Sequence, residues 1–284
     1  MARSKYINTF DTTAEYNNYI ESALPSFPNV GYDKEADKVN IVRTSPNNHL
    51  LYGEVVDPAQ ALPTISLNGT TNTPTLDTLT NTFYLDSWSN ASPTSISFDN
   101  KSNIKTIKKL NIDTSNVTSM DRMFNEFKSL TSLDLSSFNT SNVTSMEYMF
   151  YRCSSLTSLD LSNFDMSKVT NMNRMFGYCS SLTSLDLSSF DMSKVTNIGG
   201  MFIACSSLTS LDLSNWDTSK VTNTSEMLSN CPSLTDVYIT VETTLMMLTG
   251  NLSGYGSNYI PSSATIHYNG TDYKWQNSRW TQQS

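Results

Sequence analysis

At 284 residues the chain exceeds one typical domain, so two or three folding units are expected. A net charge of −8 with only 15% charged residues leaves little basic surface for a phosphate backbone, which argues against nucleic-acid binding. Hydrophobic residues at 38% and aromatics at 11% supply packed cores and exclude a disordered chain.

The first stretch, MARSKYINTFDTTAEYNNYIESALPSF, lacks the apolar core and small-residue cleavage site of a secretory signal. No apolar run approaches the ~20 residues that span a bilayer, so a chain made and folded in the cytoplasm, with no membrane span, is expected. Asp11-Thr12-Thr13 precedes AEYNNYIESAL, which reads as a capped helix stopped by Pro25. Asn29 to Tyr32 and Lys38 to Arg43 read as short strands around an acidic turn. The string YINTFDTTAEYNNYIESALPSFPNVGYDKEADKVNIV resembles a short N-terminal module on structural proteins of tailed phages from gut bacteria, crAss-like phages included. That resemblance implies a docking adaptor over residues 1–65 that meets phage capsid or tail proteins and self-associates.

Residues 66–103 are rich in Thr, Ser and Asn, with apolar clusters at Ile65/Leu67, Phe83/Leu85 and Ile96/Phe98 and prolines at the joints. A β-rich linker or cap is expected there. Beyond it the sequence repeats with a 26-residue step: Val117, Val143, Val169, Val195 and Val221; Met123, Met149, Met175, Met201 and Met227; and Cys153, Cys179, Cys205 and Cys231, with Phe127 one step earlier. Identical apolar residues at a fixed step mean that each unit hides its face against the next. Ile104, Ile107 and Ile112 carry the register back to residue 104, and Leu234, Val237 and Ile239 carry it forward to about 240.

Within one unit, Leu156, Leu159, Leu161 and Phe164 follow the leucine-rich-repeat pattern, in which L-x-L is a short strand. Val169, Met172, Met175, Phe176 and Cys179 fall at offsets 0, 3, 6, 7 and 10 and predict a helix behind that strand. The lysines around 101–109 read as charge guarding an open sheet edge. The recurring L-D-L-S-x-F-D-x-S-x-V-T-x-M-x-x-M-F-x-x-C resembles the BspA-like leucine-rich repeats of bacterial surface proteins over about 104–240, which implies adhesion and display rather than catalysis. At the C-terminus, Ala264–Tyr268 and Thr271–Trp275 flank Asn269-Gly270, a two-residue hairpin signal, and Trp275 and Trp280 are placed to seal the repeat end. The expected fold is α/β: a right-handed leucine-rich-repeat solenoid with a parallel β-sheet, a small α+β N-terminal module, and a C-terminal β-hairpin cap over 241–284.

Asp134, Asp160, Asp186 and Asp212 stand one per unit on the outer side of the strands, about 5 Å apart if the strands stack. Such a row raises carboxylate pKa values by repulsion or binds a partner or cation; the blander reading is a solvated row, and a line of carboxylates does not converge as calcium requires. Lys168, Lys194 and Lys220 follow Asp165, Asp191 and Asp217 by three residues and predict an exposed ion-pair lattice. The cysteines, at a spacing that matches no zinc motif, are expected to be buried free thiols. With only His49 and His267 in the chain, no histidine-based catalytic set is expected, nor any metal or cofactor. The expected role is a non-enzymatic virion protein, a capsid decoration or head/tail fibre, whose solenoid meets host-surface glycan or protein. The alternatives are a bacterial surface adhesin and, further off, a glycan hydrolase.

Overall fold

The computed structural model describes residues 7–10, 29–33, 38–42, 51–55, 64–68, 70–72, 75–77, 82–84, 93–99, 101–110, 112–240, 260–276 and 279–283. The chain opens with β1 (Ile7–Phe10), β2 (Asn29–Asp33) and β3 (Lys38–Val42), a sheet in which β1 runs parallel and β3 antiparallel to β2. β2 and β3 fall where the sequence places strands; the helix expected over 14–24 lies outside the described residues. Next come β4 (Leu51–Val55), β5 (Thr64–Leu67), β6 (Thr70–Asn72), β7 (Thr75–Asp77), β8 (Thr82–Tyr84), β9 (Ile96–Asp99) and β10 (Ile104–Leu110), with a 3-10 turn at Lys101–Asn103. Then follow β11 (Ser132–Leu133), β12 (Ser210–Asp212), β13 (Asp236–Ile239), β14 (Thr265–Tyr268), β15 (Thr271–Gln276) and β16 (Arg279–Gln282). They form sheets ordered β11-β10-β4-β8-β7, β6-β5-β9 and β12-β13-β14-β15-β16.

The α/β expectation is overturned, because no α-helix occurs among the described residues. The stretch predicted as helix is a run of turns in every coil. In a helix each N–H reaches the fourth carbonyl back along its own chain. Here Met120, Arg122, Phe124 and Glu126 donate instead to Ser145, Glu147, Met149 and Tyr151 of the next coil, at 2.7–2.9 Å. The intervening Met123, Asn125 and Phe127 close four-residue turns onto Met120, Arg122 and Phe124. Each turn that ends at Met123 or Phe127 has a left-handed third residue, Arg122 at φ 57° and Glu126 at φ 65°; Tyr148/Arg152, Arg174/Tyr178 and Gly200/Ala204 repeat them. A non-glycine residue there costs roughly 1–2 kcal/mol, which the inter-coil bonds offset. A run of turns spaces its buried residues by three, as a helix face does, and the sequence pattern alone does not separate the two.

The continuous parallel sheet is also absent. Strands appear at the two ends, β10 with β11 and β12 with β13 and β14, whereas residues 156–161 and 182–187 carry none. The middle coils are joined by the turn ladder and by single parallel bridges from Ser119 through Ser145, Asn171 and Asn197 to Asn223. The lysine-rich first strand is no open edge either: β4 pairs antiparallel along β10, so residues 51–55 are tied directly to the first coil.

The apolar columns do form one core. Phe124, Phe150, Phe176 and Phe202 stack ring on ring with centroids 5.6 Å apart at each step and planes within 9°. Beneath them Cys153, Cys179, Cys205 and Cys231 are free and buried, and each thiol donates to the carbonyl of a phenylalanine in the preceding coil at 3.0–3.1 Å. Phe98 of β9 covers the first end, stacked on Phe124 at 5.7 Å and edge-on to Phe127 at 5.3 Å. Thr144, Thr170, Thr196 and Thr222 each donate both N–H and hydroxyl to the threonine carbonyl one coil earlier.

The C-terminal hairpin forms as the sequence predicts, with Asn269 at φ 47° and Gly270 at φ 79°, the two positive angles of a type I′ turn. β14 extends the last coil as a parallel neighbour of β13, and Trp275 packs edge-on against Trp280. His267 bolts this joint: its Nε2 lies 2.8 Å from Asp236 and its Nδ1 2.8 Å from Asp272, with Tyr238 stacked on the ring at 4.5 Å. Only an imidazolium donates from both nitrogens, and the hydrogen bond to Asp236, helped by Asp272, raises its pKa above the ordinary 6.5. A raised histidine stabilises fully below its unfolded value and loses that contribution as pH rises through the folded one. Hydrogen exchange of the β14–β15 amides should therefore be slower at pH 5.5 than at pH 8.5, after correction for intrinsic rate. In His267→Gln that difference should vanish.

Candidate binding surface

The four aspartates expected as a binding row are exposed, one per coil, and each is tied into a turn. Oδ1 of Asp134, Asp160, Asp186 and Asp212 accepts the N–H of Ser136, Ser162, Ser188 and Ser214 at 2.9–3.0 Å. This side-chain bond takes a backbone donor the sheet would otherwise use, which limits the strand at each aspartate. The expected pKa rise does not occur at Asp134, Asp160 or Asp186. The serine at i+2 holds Asp134, Asp160 and Asp186 below the ordinary carboxylate value, and repulsion from Asp160 is only a minor opposing influence at Asp186. The row is turn chemistry first. Asp160→Asn with Asp186→Asn, which keeps the accepting oxygen, should leave the thermal midpoint near wild type, whereas the double alanine variant should lower it.

Asp165, Asp191 and Asp217 do the same for Ser167, Ser193 and Ser219. The ion-pair lattice expected with Lys168, Lys194 and Lys220 does not close among the described residues; Lys168 Nζ instead donates to Asn142 Oδ1, one coil earlier, at 2.7 Å. Among the described residues no group of three His, Cys, Asp or Glu is placed to hold a metal ion.

A different edge of the coils carries the unusual chemistry, and the sequence reading passed over it. The residues between the fixed Met, Met-Phe and Cys columns differ from coil to coil: Asp121, Arg122, Asn125 and Glu126; Glu147, Tyr148, Tyr151 and Arg152; Asn173, Arg174, Gly177 and Tyr178. In the next coil they are Gly199, Gly200, Ile203 and Ala204. The turn ladder brings these columns together. The Arg122 guanidinium lies 4.6 Å over the Tyr148 ring, and Tyr148, Tyr151 and Tyr178 pack edge to face at 5.1 and 5.3 Å. Arg152 pairs with Glu126 at 2.9 Å while lying 5.3 Å over Tyr151 and 5.6 Å over Tyr178. Arg174 donates to the Tyr148 hydroxyl at 3.2 Å and reaches two coils on to Glu226 at 3.3 Å.

Two glycines make this packing possible. A Cβ on Gly177 would stand 2.9 Å from the Tyr151 ring and 2.9 Å from Ile203 Cγ2, and one on Gly200 only 2.8 Å from Arg174 Cγ. Gly200 thus clears the path from Arg174 to Glu226. The signal available in the sequence was that residues 112–240 concentrate all their arginines, and all their tyrosines except Tyr238, at these variable positions.

The same coils carry the likeness to known proteins. A family model described as "Mycoplasma protein of unknown function, DUF285" matches residues 91–211 and 157–246, together more than half of the chain. The chain belongs to the DUF285 family. The match begins just before β9, whose Phe98 covers the first coil, and ends just past β13, so this DUF285 unit takes in the whole stack of turns. It fits the BspA-like character of the repeats and does not reach the N-terminal string. No curated protein and no solved structure matches the chain. No helix among the described residues is long and apolar enough to cross a membrane.

Proposed function

We propose that this protein is a non-enzymatic binding protein whose stacked coils act as a rigid display scaffold, carried on a phage particle as a capsid decoration or head/tail fibre. The observation that carries the binding reading is the division of labour in each coil. Repeated Thr and Cys side chains hold coil to coil and the repeated Asp side chains close turns within each coil, while the residues that vary gather as a half-exposed Tyr–Arg cluster on one edge. The particle setting is supported by the N-terminal string, whose strands β1–β3 stand apart in sequence from the coils. Many copies on one particle would multiply weak individual contacts with a host surface, and residues 1–65 would dock and self-associate.

Mass spectrometry of gradient-purified particles from an infected culture tests the setting: the chain should copurify, and its absence removes the virion role. Deletion of residues 1–42, which keeps β4 paired along β10, tests the docking step, because a truncated chain incorporated at normal copy number would place attachment elsewhere.

A further inference from the structure

A ligand moving along the coils meets nearly the same surface every 26 residues, since Thr157–Lys168, Thr183–Lys194 and Thr209–Lys220 differ at few positions. Selectivity therefore has to come from where the coils differ. Building on the binding reading above, we propose that the Tyr–Arg edge is a protein-docking surface whose partner is a peptide segment presenting an Asp or Glu carboxylate beside an aromatic or aliphatic side chain.

The geometry favours that partner over a sugar. Stacking of a sugar ring favours an open aromatic face, and here Arg122 lies over Tyr148 while Arg152 lies over both Tyr151 and the more exposed Tyr178. What the edge offers outward is guanidinium N–H groups, phenol hydroxyls and the exposed Tyr178 ring. Arg152 and Arg174 already have Glu126 and Glu226, whereas Arg122 rests on Tyr148 with no carboxylate paired to it among the described residues. Charge complementarity thus asks for about one carboxylate. A polyanion fits less well, because Asp121, Glu126, Glu147 and Glu226 flank the cluster on a chain of net charge −8. Tyr and Arg are the residue types that dominate protein-interface energetics. Guanidinium groups already laid on rings and carboxylates have little side-chain freedom left to lose on binding.

The test is an array of random dodecapeptides probed with the full chain. Wild type should retain peptides enriched in Asp or Glu next to an aromatic or aliphatic residue. Arg122→Ala and Tyr178→Ala, with unchanged unfolding midpoints, should each weaken retention about tenfold or more, while Asp160→Asn with Asp186→Asn should not. The inference is overturned if no peptide is retained, if both edge variants bind as wild type does, or if a sulfated or sialylated glycan array captures the chain through Arg122 and Tyr178 when peptides do not. A chain present on particles that ignores the peptides sinks this inference alone. A chain absent from particles that binds acidic peptides through the edge sinks the virion setting alone.

Discussion

Phe150→Ala is expected to cost about 3–5 kcal/mol of stability, the largest loss from any single truncation in the coils. Phe150 is fully buried and stacked on both faces, with Phe124 and Phe176 each at 5.6 Å and tilts of 2° and 5°. Its removal opens a cavity that the neighbouring rings cannot fill, because each is fixed by its own coil through inter-coil hydrogen bonds. The break also falls inside a one-dimensional array in which each unit draws its stability from the two beside it. Urea unfolding followed by tryptophan fluorescence, to which the buried Trp216 contributes, should show a lower midpoint and a broader transition, since a weakened central interface uncouples the two halves. Phe202→Leu is the matched control. It makes that coil like its neighbour, where Leu228 already fills the column, and because it removes only part of the side chain it should cost clearly less than Phe150→Ala. A loss below about 1 kcal/mol for Phe150→Ala would mean that the rings do not share one continuous core.

The sequence states the columns and conceals the backbone that connects them. Val169, Met172, Met175, Phe176 and Cys179 are all buried, as their spacing requires. That spacing serves a helix face and a succession of turns equally well, and the deciding feature, a left-handed residue at every second turn corner, is occupied by Arg, Tyr and Glu in most coils. Gly200 and Asn230 alone among them mark the position with residue types that signal it. The hairpin was legible because Asn269-Gly270 is that kind of mark. The pairing of β10 with β4 was not, because the partner lies some fifty residues away and its pattern is ordinary. For the surface the difficulty ran the other way. The repeated Asp134–Asp212 row draws attention because it recurs, and each member also closes a turn onto the serine two residues on. Tyr148, Tyr151, Tyr178 and the three arginines belong to columns with no repeat, and only the stacking of coils shows that they meet.

Native alkylation of all four cysteines is expected to be slower than that of an unfolded control, by a factor on the order of a thousand at Cys153 and a hundred at Cys231 at pH 8 from thiolate content alone. Burial pushes the Cys153 thiol up to about 12 from an ordinary 9.0, against which its hydrogen bond and Lys101 give only partial relief. Three pH units leave roughly a thousandth of the usual thiolate, the form that reacts, and the sulfur is sealed from reagent as well. Cys179 and Cys205 are raised well above the ordinary value by the same burial, while Cys231, in the last coil, rises only to about 11. Reaction in the native protein must therefore pass through opening of the stack, and an array of this kind opens from its ends. Pulse labelling with iodoacetamide in low urea, read by peptide mass spectrometry, should find Cys231 modified first, Cys205 next, and Cys153 and Cys179 only with global unfolding. Phe98 and the β4–β10 pairing protect the first coil, whereas the joint beyond Cys231 depends on β14 and the His267 clasp. His267→Gln should then speed labelling of Cys231 at pH 5.5 and leave Cys153 unchanged. Labelling of Cys153 ahead of Cys231 would reverse the assigned order of strength, and rapid modification of all four in native buffer would exclude a buried sulfur column.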